Sequence, residues 1–474
     1  MSYGIYIGKN HSSTGHAWLA GYGDEPSSHW LEIVPRRSHP DTATITVGMT
    51  PEADLPGQLS TIPQVAETAR HLRVSYSYYL GAPSPLTNGG LNEHGVAVRD
   101  IWAPSRPELI ALTPAEQTGP NYSDLARIIL ERAHSAREGV DIIEDMIASH
   151  GYSCYGGNSH IIADTDEAWV VIEFSGGLGL WVAERLGPDS IRASRPGYVG
   201  QIPMEPDEDF RFPPHFIATA IERGWYDPGS GAFDVNAVYG DGKGRWDGVQ
   251  WIETEMQARA ARAEKIGLPD VIWAISTEKL TGDTAGYGQV VPLLDPSDDA
   301  LRLLWHAPVG PVTAPLVPVF IGQTDVPVEY GLHRYLTTGE SSRFLDHRYD
   351  DEPDRISTVP QNREVTRSAF QVQKRLMHLA FRLGPVTLRD IRAHWRAMEA
   401  RLAEELPDIV ASAEILRAAG RTDLAAQALT RFSSQALSLA LQDAEALSAA
   451  YEVLLRNAGG LKDGGAAMVP EQIW

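Results

Sequence analysis

Two hydrophobic periodicities divide this chain, and the order in which they appear limits its folds more than any single residue does. From Gly4 to about Arg106, short β-branched and aromatic runs alternate with turn-forming clusters: GIYIG, HAWLAGYG, HWLEIV, TATITVG and RVSYSYYLG. These predict strands and hairpins. From Tyr122 the period changes, with Leu125, Ile128, Ile129 and Ala133 at helical spacing behind Ser123 as the expected cap. Gly139 is expected to separate off a second helical stretch carrying Val140, Ile143 and Ile147. The text SHIIADTDEAWVVIEF then predicts two strands turning at Asp164 to Glu167, and GLWVAERL and SIRASRPGYV extend a second sheet. An interrupted helical region follows from Trp251 to Lys265, with a strand expected at Val271 to Ile275. From Arg363 to Arg456 the pattern is almost continuously helical, its apolar faces carried by residues such as Phe370, Met377, Ile391, Trp395, Leu402, Leu437 and Leu441. Strands and helices in separate runs predict an α+β fold with a helical C-terminal part.

Charge excludes some partners. Lysine and arginine number 40 against 62 aspartates and glutamates, so the net charge is −22, which repels phosphate backbones and anionic membrane surfaces. The most apolar window, Leu303 to Gly322, is broken by His306, Pro308, Pro311, Pro315 and Pro318 and does not suit a membrane span. Cys154 is the single cysteine, so neither an intrachain disulfide nor a four-cysteine zinc site can form. The opening MSYGIYIGKNHSS lacks the basic and apolar segments of a signal peptide, and a cytoplasmic location is expected.

Ser2 is a small second residue, of the kind that loses the methionine before it. A terminal serine has its own base within reach: an α-amine titrates at about 7.7–8.0, so a useful fraction is neutral near physiological pH. The run that follows, Tyr3 to Gly8, would fix that terminus at the head of a strand. Other motifs carry less. Ser276-Thr277-Glu278-Lys279 fits S-x-x-K without partner motifs, GDGKG at 240–244 lacks phosphate-loop spacing, and the histidines show no paired ligand spacing, so no metal is expected.

Several of these stretches resemble one family. S-Y-G-I-Y-I-G-K at the start is similar to C-T-T-I-L-V-G-K, with Ser2 where the nucleophilic cysteine stands; AGYGDEP at 20–26 is similar to a second-strand motif with a fixed aspartate. LNEHGVAV at 91–98, AREGVDII at 136–143 and ADTDEAWVVIE at 163–173 resemble N-E-x-G-V-A, A-R-E-G-V-E-L and A-D-x-D-E-A-W. The family is that of the secernin-like dipeptidases, N-terminal-nucleophile amidohydrolases. The resemblance implies a four-layer αββα sandwich over residues 1–336, followed by a polar surface loop at 337–361 and a helical region at 362–474. It implies hydrolysis of a short peptide or small amide, without cofactor. Ser2 would attack, Asp24 would hold a polar partner near the α-amine, and Asn92 would orient the terminus or donate to the oxyanion. Asn88 and Asn158 are further donor candidates, and Arg195 sits where relatives often carry an oxyanion-hole asparagine. His29, Arg36 and Arg37 are near enough in sequence to reach a substrate carboxylate. Gly21 replaces an arginine, which would open room for a different headgroup, and Gly23 replaces the polar residue before the aspartate. Two alternatives follow from these departures: a binding or regulatory protein on the same fold, or an acyl-transfer enzyme of a biosynthetic pathway. The expected partner is a small peptide or amide, self-association into a homo-oligomer is compatible, and neither nucleic acid nor membrane is expected.

Overall fold

The computed structural model describes residues 2–25, 27–77, 82–333 and 367–457. The loop expected at 337–361 lies outside these residues, as do Met1 and Pro26. The strand runs do form strands, and many are buried along their whole length: all five residues of Tyr3–Ile7 and all six of Ala17–Tyr22 are covered. A strand apolar on both sides must be covered on both sides.

Two antiparallel sheets provide that cover. The first has six strands in the order Ile191–Ser194, Tyr3–Ile7, Ala17–Tyr22, Gly288–Leu293, Leu303–Ala307 and Val317–Phe320. The second has eight, in the order Phe210–Arg211, Trp181–Leu186, Ala168–Glu173, Asn158–Ala163, Ala97–Trp102, Leu86–Asn92, His71–Tyr76 and His29–Val34. The sheets approach closely where glycine allows it. A Cβ on Gly4 would stand 2.6 Å from Cδ1 of Ile101, and one on Gly89 would stand 2.4 Å from the Tyr287 hydroxyl.

Helices Tyr122–Arg132 and Ala136–His150 lie against the second sheet, and Asp247–Ala260 and Leu268–Ser276 against the first. Three local expectations are corrected here. The first helix is capped by Asn121 rather than Ser123, in a reciprocal box with Asp124. Gly139 sits inside the second helix and separates nothing; its lack of a side chain lets the helix approach Ile162, whose Cγ2 would be 2.9 Å from a Cβ. Val271–Ile275 belongs to a helix and not a strand, because Gly267, Pro269 and Asp270 supply a helix start that outweighs the β-branched run.

The C-terminal helices Ala369–Leu383, Pro385–Ala418 and Thr422–Asn457 join the same apolar core as the first sheet. Trp395 donates its indole N–H to the Thr313 carbonyl at 2.6 Å, Tyr330 its hydroxyl to the Leu437 carbonyl at 2.8 Å, and buried Glu399 accepts from the Leu316 N–H at 3.0 Å.

Candidate active site

Ser2 precedes the strand Tyr3–Ile7, and antiparallel pairing of Tyr3 with Tyr22 brings the segment after Tyr22 back beside it. That segment is Gly23, Asp24 and Glu25. The Ser2 hydroxyl donates to Oε1 of Glu25 at 2.8 Å, and both residues are buried. Gly23 permits the turn that delivers Glu25, since a Cβ there would lie 2.4 Å from Oε2 of Glu25 and 2.7 Å from Nδ2 of Asn88. Gly21 has a different meaning from the one its sequence position suggested. No room opens there, because a Cβ would stand 2.1 Å from the Tyr3 carbonyl oxygen of the neighbouring strand.

Asn88 completes the carboxylate's coordination, donating Nδ2 to Oε2 of Glu25 at 2.6 Å. Its reach depends on a bulge. Val74 pairs with Gly89 and Ser75 with Thr87, leaving Asn88 as the extra residue, and a bulge of this kind turns a side chain out of the strict alternation. Arg99 lies beneath, fully buried, donating to the Asn88 carbonyl at 2.5 Å, to Oδ1 of Asn88, to the Tyr287 hydroxyl at 3.1 Å and to the Tyr22 carbonyl at 2.7 Å. His29 stands 3.8 Å from Glu25 through Nε2, with Nδ1 2.8 Å from the Ser27 carbonyl, and its ring stacks on Tyr76, Tyr287 and Phe370. Burial by itself would raise the Glu25 carboxyl, but His29, the Arg99 guanidinium and the Ser2 hydroxyl together hold it well below the usual carboxylate range. Glu25 is therefore an ionised acceptor that orients the Ser2 hydroxyl.

Sequence reasoning named Asp24 and passed over its neighbour. Asp24 accepts from the Thr284 hydroxyl and lies 3.9 Å from Nη2 of Arg195, so its carboxylate is drawn toward the segment after Leu268–Ser276. The signal for Glu25 was present as the second acid of AGYGDEP, but only the register decides which acid meets Ser2. Arg195 donates to the Leu280 carbonyl and lies over the Tyr22 ring, and burial lowers its pKa to about 10. Asn92 is occupied elsewhere: Nδ2 donates to the Leu130 and Ala133 carbonyls at 3.3 and 2.7 Å, and Oδ1 accepts the His94 and Val96 N–H groups, both at 3.0 Å. It ties a hairpin to the end of a helix and makes none of the contacts around Glu25. Asn158 accepts from the Tyr155 hydroxyl at 2.9 Å, behind the wall that Tyr155 gives the Ser2 cavity. Arg36 pairs with Glu93 and Glu67, and Arg37 lines a separate depression of about 210 Å3.

Ser2, Asp24 and Glu25 open on a cavity of about 30 Å3, closed on its other side by Asp100, Trp102, Tyr155 and the hydrogen-bonded pair Tyr76 and Tyr122. Such a space admits a water or a small head group and no more. A larger depression of about 450 Å3 runs along the helix Ala369–Leu383, but neither Ser2 nor Glu25 lines it, and the chemistry favours the smaller space. Among the described residues no group of three or more His, Cys, Asp and Glu could hold a metal ion, and no helix is long and apolar enough to cross a membrane.

Residues 81–246 match the family model of peptidase family C69, a stretch that holds Asn88, Arg99, Asp100, Asn158 and Arg195. A "Probable dipeptidase" of Salmonella dublin is 30% identical over 154 residues, covering 32% of this chain and 34% of that protein, so the likeness spans about a third of the relative's length. Two structures of the conjugated bile acid hydrolase of Clostridium perfringens, each carrying a single substitution, also match. One gives a TM-score of 0.34 at 10% identity over 69% of this chain and 94% of that one. The other gives 0.31 at 9% over 68% and 93%.

Proposed function

We propose that this chain is an amidohydrolase that cleaves a short peptide or small amide through an ester on Ser2, on a four-layer αββα scaffold of the N-terminal-nucleophile kind. The observation that carries the reading is the buried hydrogen bond from the Ser2 hydroxyl to Glu25, in a chain whose middle matches a peptidase family. The likeness to a probable dipeptidase supports peptides as the substrate class. With Met1 removed, the Ser2 hydroxyl turns its proton from Glu25 to the α-amine, Oγ adds to the scissile carbonyl and the amine takes that proton. The C–N bond then breaks as that proton moves to the leaving amine, and water hydrolyses the ester by the reverse proton path. Glu25 is too weak a base to share this work, since a general base acts best with a pKa near the working pH. Its role is to hold Oγ in line. Relatives of the resembling family attack with cysteine; a serine here depends more heavily on the amine and on Glu25.

Intact mass and N-terminal sequencing, together with turnover of a dipeptide panel by the parent, Ser2→Ala and Ser2→Cys proteins, test this reading. A free Ser2 amine, loss of turnover in the alanine variant and retention in the cysteine variant are expected. Turnover that survives Ser2→Ala, or a retained Met1 in an active protein, overturns it. Product capture by an added amine in place of water would move the reading to acyl transfer, and a processed protein that binds peptides without cleaving them would move it to a binding protein.

A further inference from the structure

Asp100 stands out in the small cavity because the mechanism above gives it nothing to do. It is 3% exposed, and its Oδ1 accepts no hydrogen bond from the described residues, although a buried carboxylate oxygen normally takes at least one. Arg99 is the nearest cation at 3.7 Å, but that guanidinium donates its bonds to Asn88, Tyr287 and Tyr22. The other charged or titratable groups around Asp100 are Glu25, His160, Glu173 and the buried tyrosines Tyr76, Tyr152 and Tyr287, and His160 and Glu173 bind each other at 2.7 Å. The cavity is thus walled by three carboxylates, those of Asp24, Glu25 and Asp100, and by aromatic rings, a combination that favours a positive charge and disfavours an anion.

Size and reach narrow the ligand further. A space of about 30 Å3 admits an ammonium but not a whole side chain. In an aminoacyl group the α-nitrogen is separated from the carbonyl carbon by two bonds, roughly 2.5 Å from standard bond lengths. An ammonium in a cavity lined by Ser2 therefore leaves its own carbonyl beside the Ser2 hydroxyl. We propose that this cavity is a subsite for the free α-ammonium of the substrate, held by Asp100, so that the enzyme selects peptides with an unblocked amino terminus. The proposal rests on the hydrolase reading for its chemistry, but binding tests it separately.

The test uses full-length Ser2→Ala protein, which cannot turn ligands over by the proposed route, and the Ser2→Ala/Asp100→Asn double variant. Calorimetric titration with alanyl-alanine and with N-acetyl-alanyl-alanine is expected to show the unblocked peptide binding at least about tenfold more tightly, the scale of one charge-assisted contact, and to show that preference collapse in the double variant. Binding of the unblocked peptide should strengthen as pH rises toward about 7 and Asp100 ionises, while the acetylated peptide stays flat. Equal affinities in the Ser2→Ala protein, or no binding of the unblocked peptide, overturn the subsite even if the double variant fails to fold. Equal weakening of both peptides by Asp100→Asn also overturns it, placing Asp100 in general support of the Ser2 terminus. Failure of the hydrolase reading shows instead as absent turnover in the parent, whatever these titrations give.

Discussion

Glu25 and Asp100 face one small cavity beside Ser2, and their environments drive the two carboxyls apart. Glu25 has an amide, a hydroxyl and a nearby guanidinium, and stays ionised. Replacing it by glutamine keeps the shape and removes the charge, so kcat/KM should fall by about tenfold to a hundredfold, the range of one charge-assisted hydrogen bond. Steady-state kinetics on a folded Glu25→Gln protein checks this, and unchanged kcat/KM would remove Glu25 from the site. Asp100 is pushed up to about 7 by burial, with Arg99 opposing and Glu25 adding to the rise. The folded chain then retains a proton that the unfolded chain releases near pH 3.8. This contribution to stability is fully present below the unfolded value and is lost as pH rises through about 7. Melting temperature should fall less between about pH 5 and pH 8 in Asp100→Asn than in the parent; parallel pH profiles would contradict the assignment.

At the level of elements, Asn92 is bonded within the scaffold and not to Glu25. Its four side-chain bonds hold the turn between Leu86–Asn92 and Ala97–Trp102 against the end of the helix Tyr122–Arg132. Asn92→Ala leaves buried backbone groups without partners, each costing about 1–3 kcal/mol. Urea unfolding should therefore show a loss of at least about 2 kcal/mol, while kcat of the folded fraction stays near the parent's. A variant of normal stability and no activity would return Asn92 to the site. The Asn121 and Asp124 box caps that same helix, and Asp124 also accepts the Gly48 N–H at 2.8 Å. One capping residue thus ties the helix to a neighbouring loop. The helical spacing of Leu125, Ile128 and Ile129 was legible because burial of one face imposes it. The cap was not, because Asn121 and Ser123 are both good caps and only backbone geometry distinguishes them.

For the whole molecule, the C-terminal helices are part of the core on which the site rests. Phe370 stacks on His29, which flanks Glu25, and Trp395 is fully buried against the loop carrying Thr313. Trp395→Ala should destabilise by about 3–5 kcal/mol through the cavity it leaves. If these helices and the sheets form one cooperative unit, the loss appears in a single unfolding transition followed by both fluorescence and activity. Two separate transitions would mean that the helices unfold independently.

The sequence alone determined most of the strand and helix runs, the α+β class, the absence of an intrachain disulfide and the place of Ser2 at the head of a buried strand, because these follow from local periodicity and residue chemistry. Tertiary structure decided which residues meet. Register chose Glu25 over Asp24, a bulge turned Asn88 toward it, and Arg99 and Asp100, neighbours in one strand, meet different partners because successive side chains point to opposite faces. Pairing across sheets depends on contacts between distant segments, and no local pattern records it.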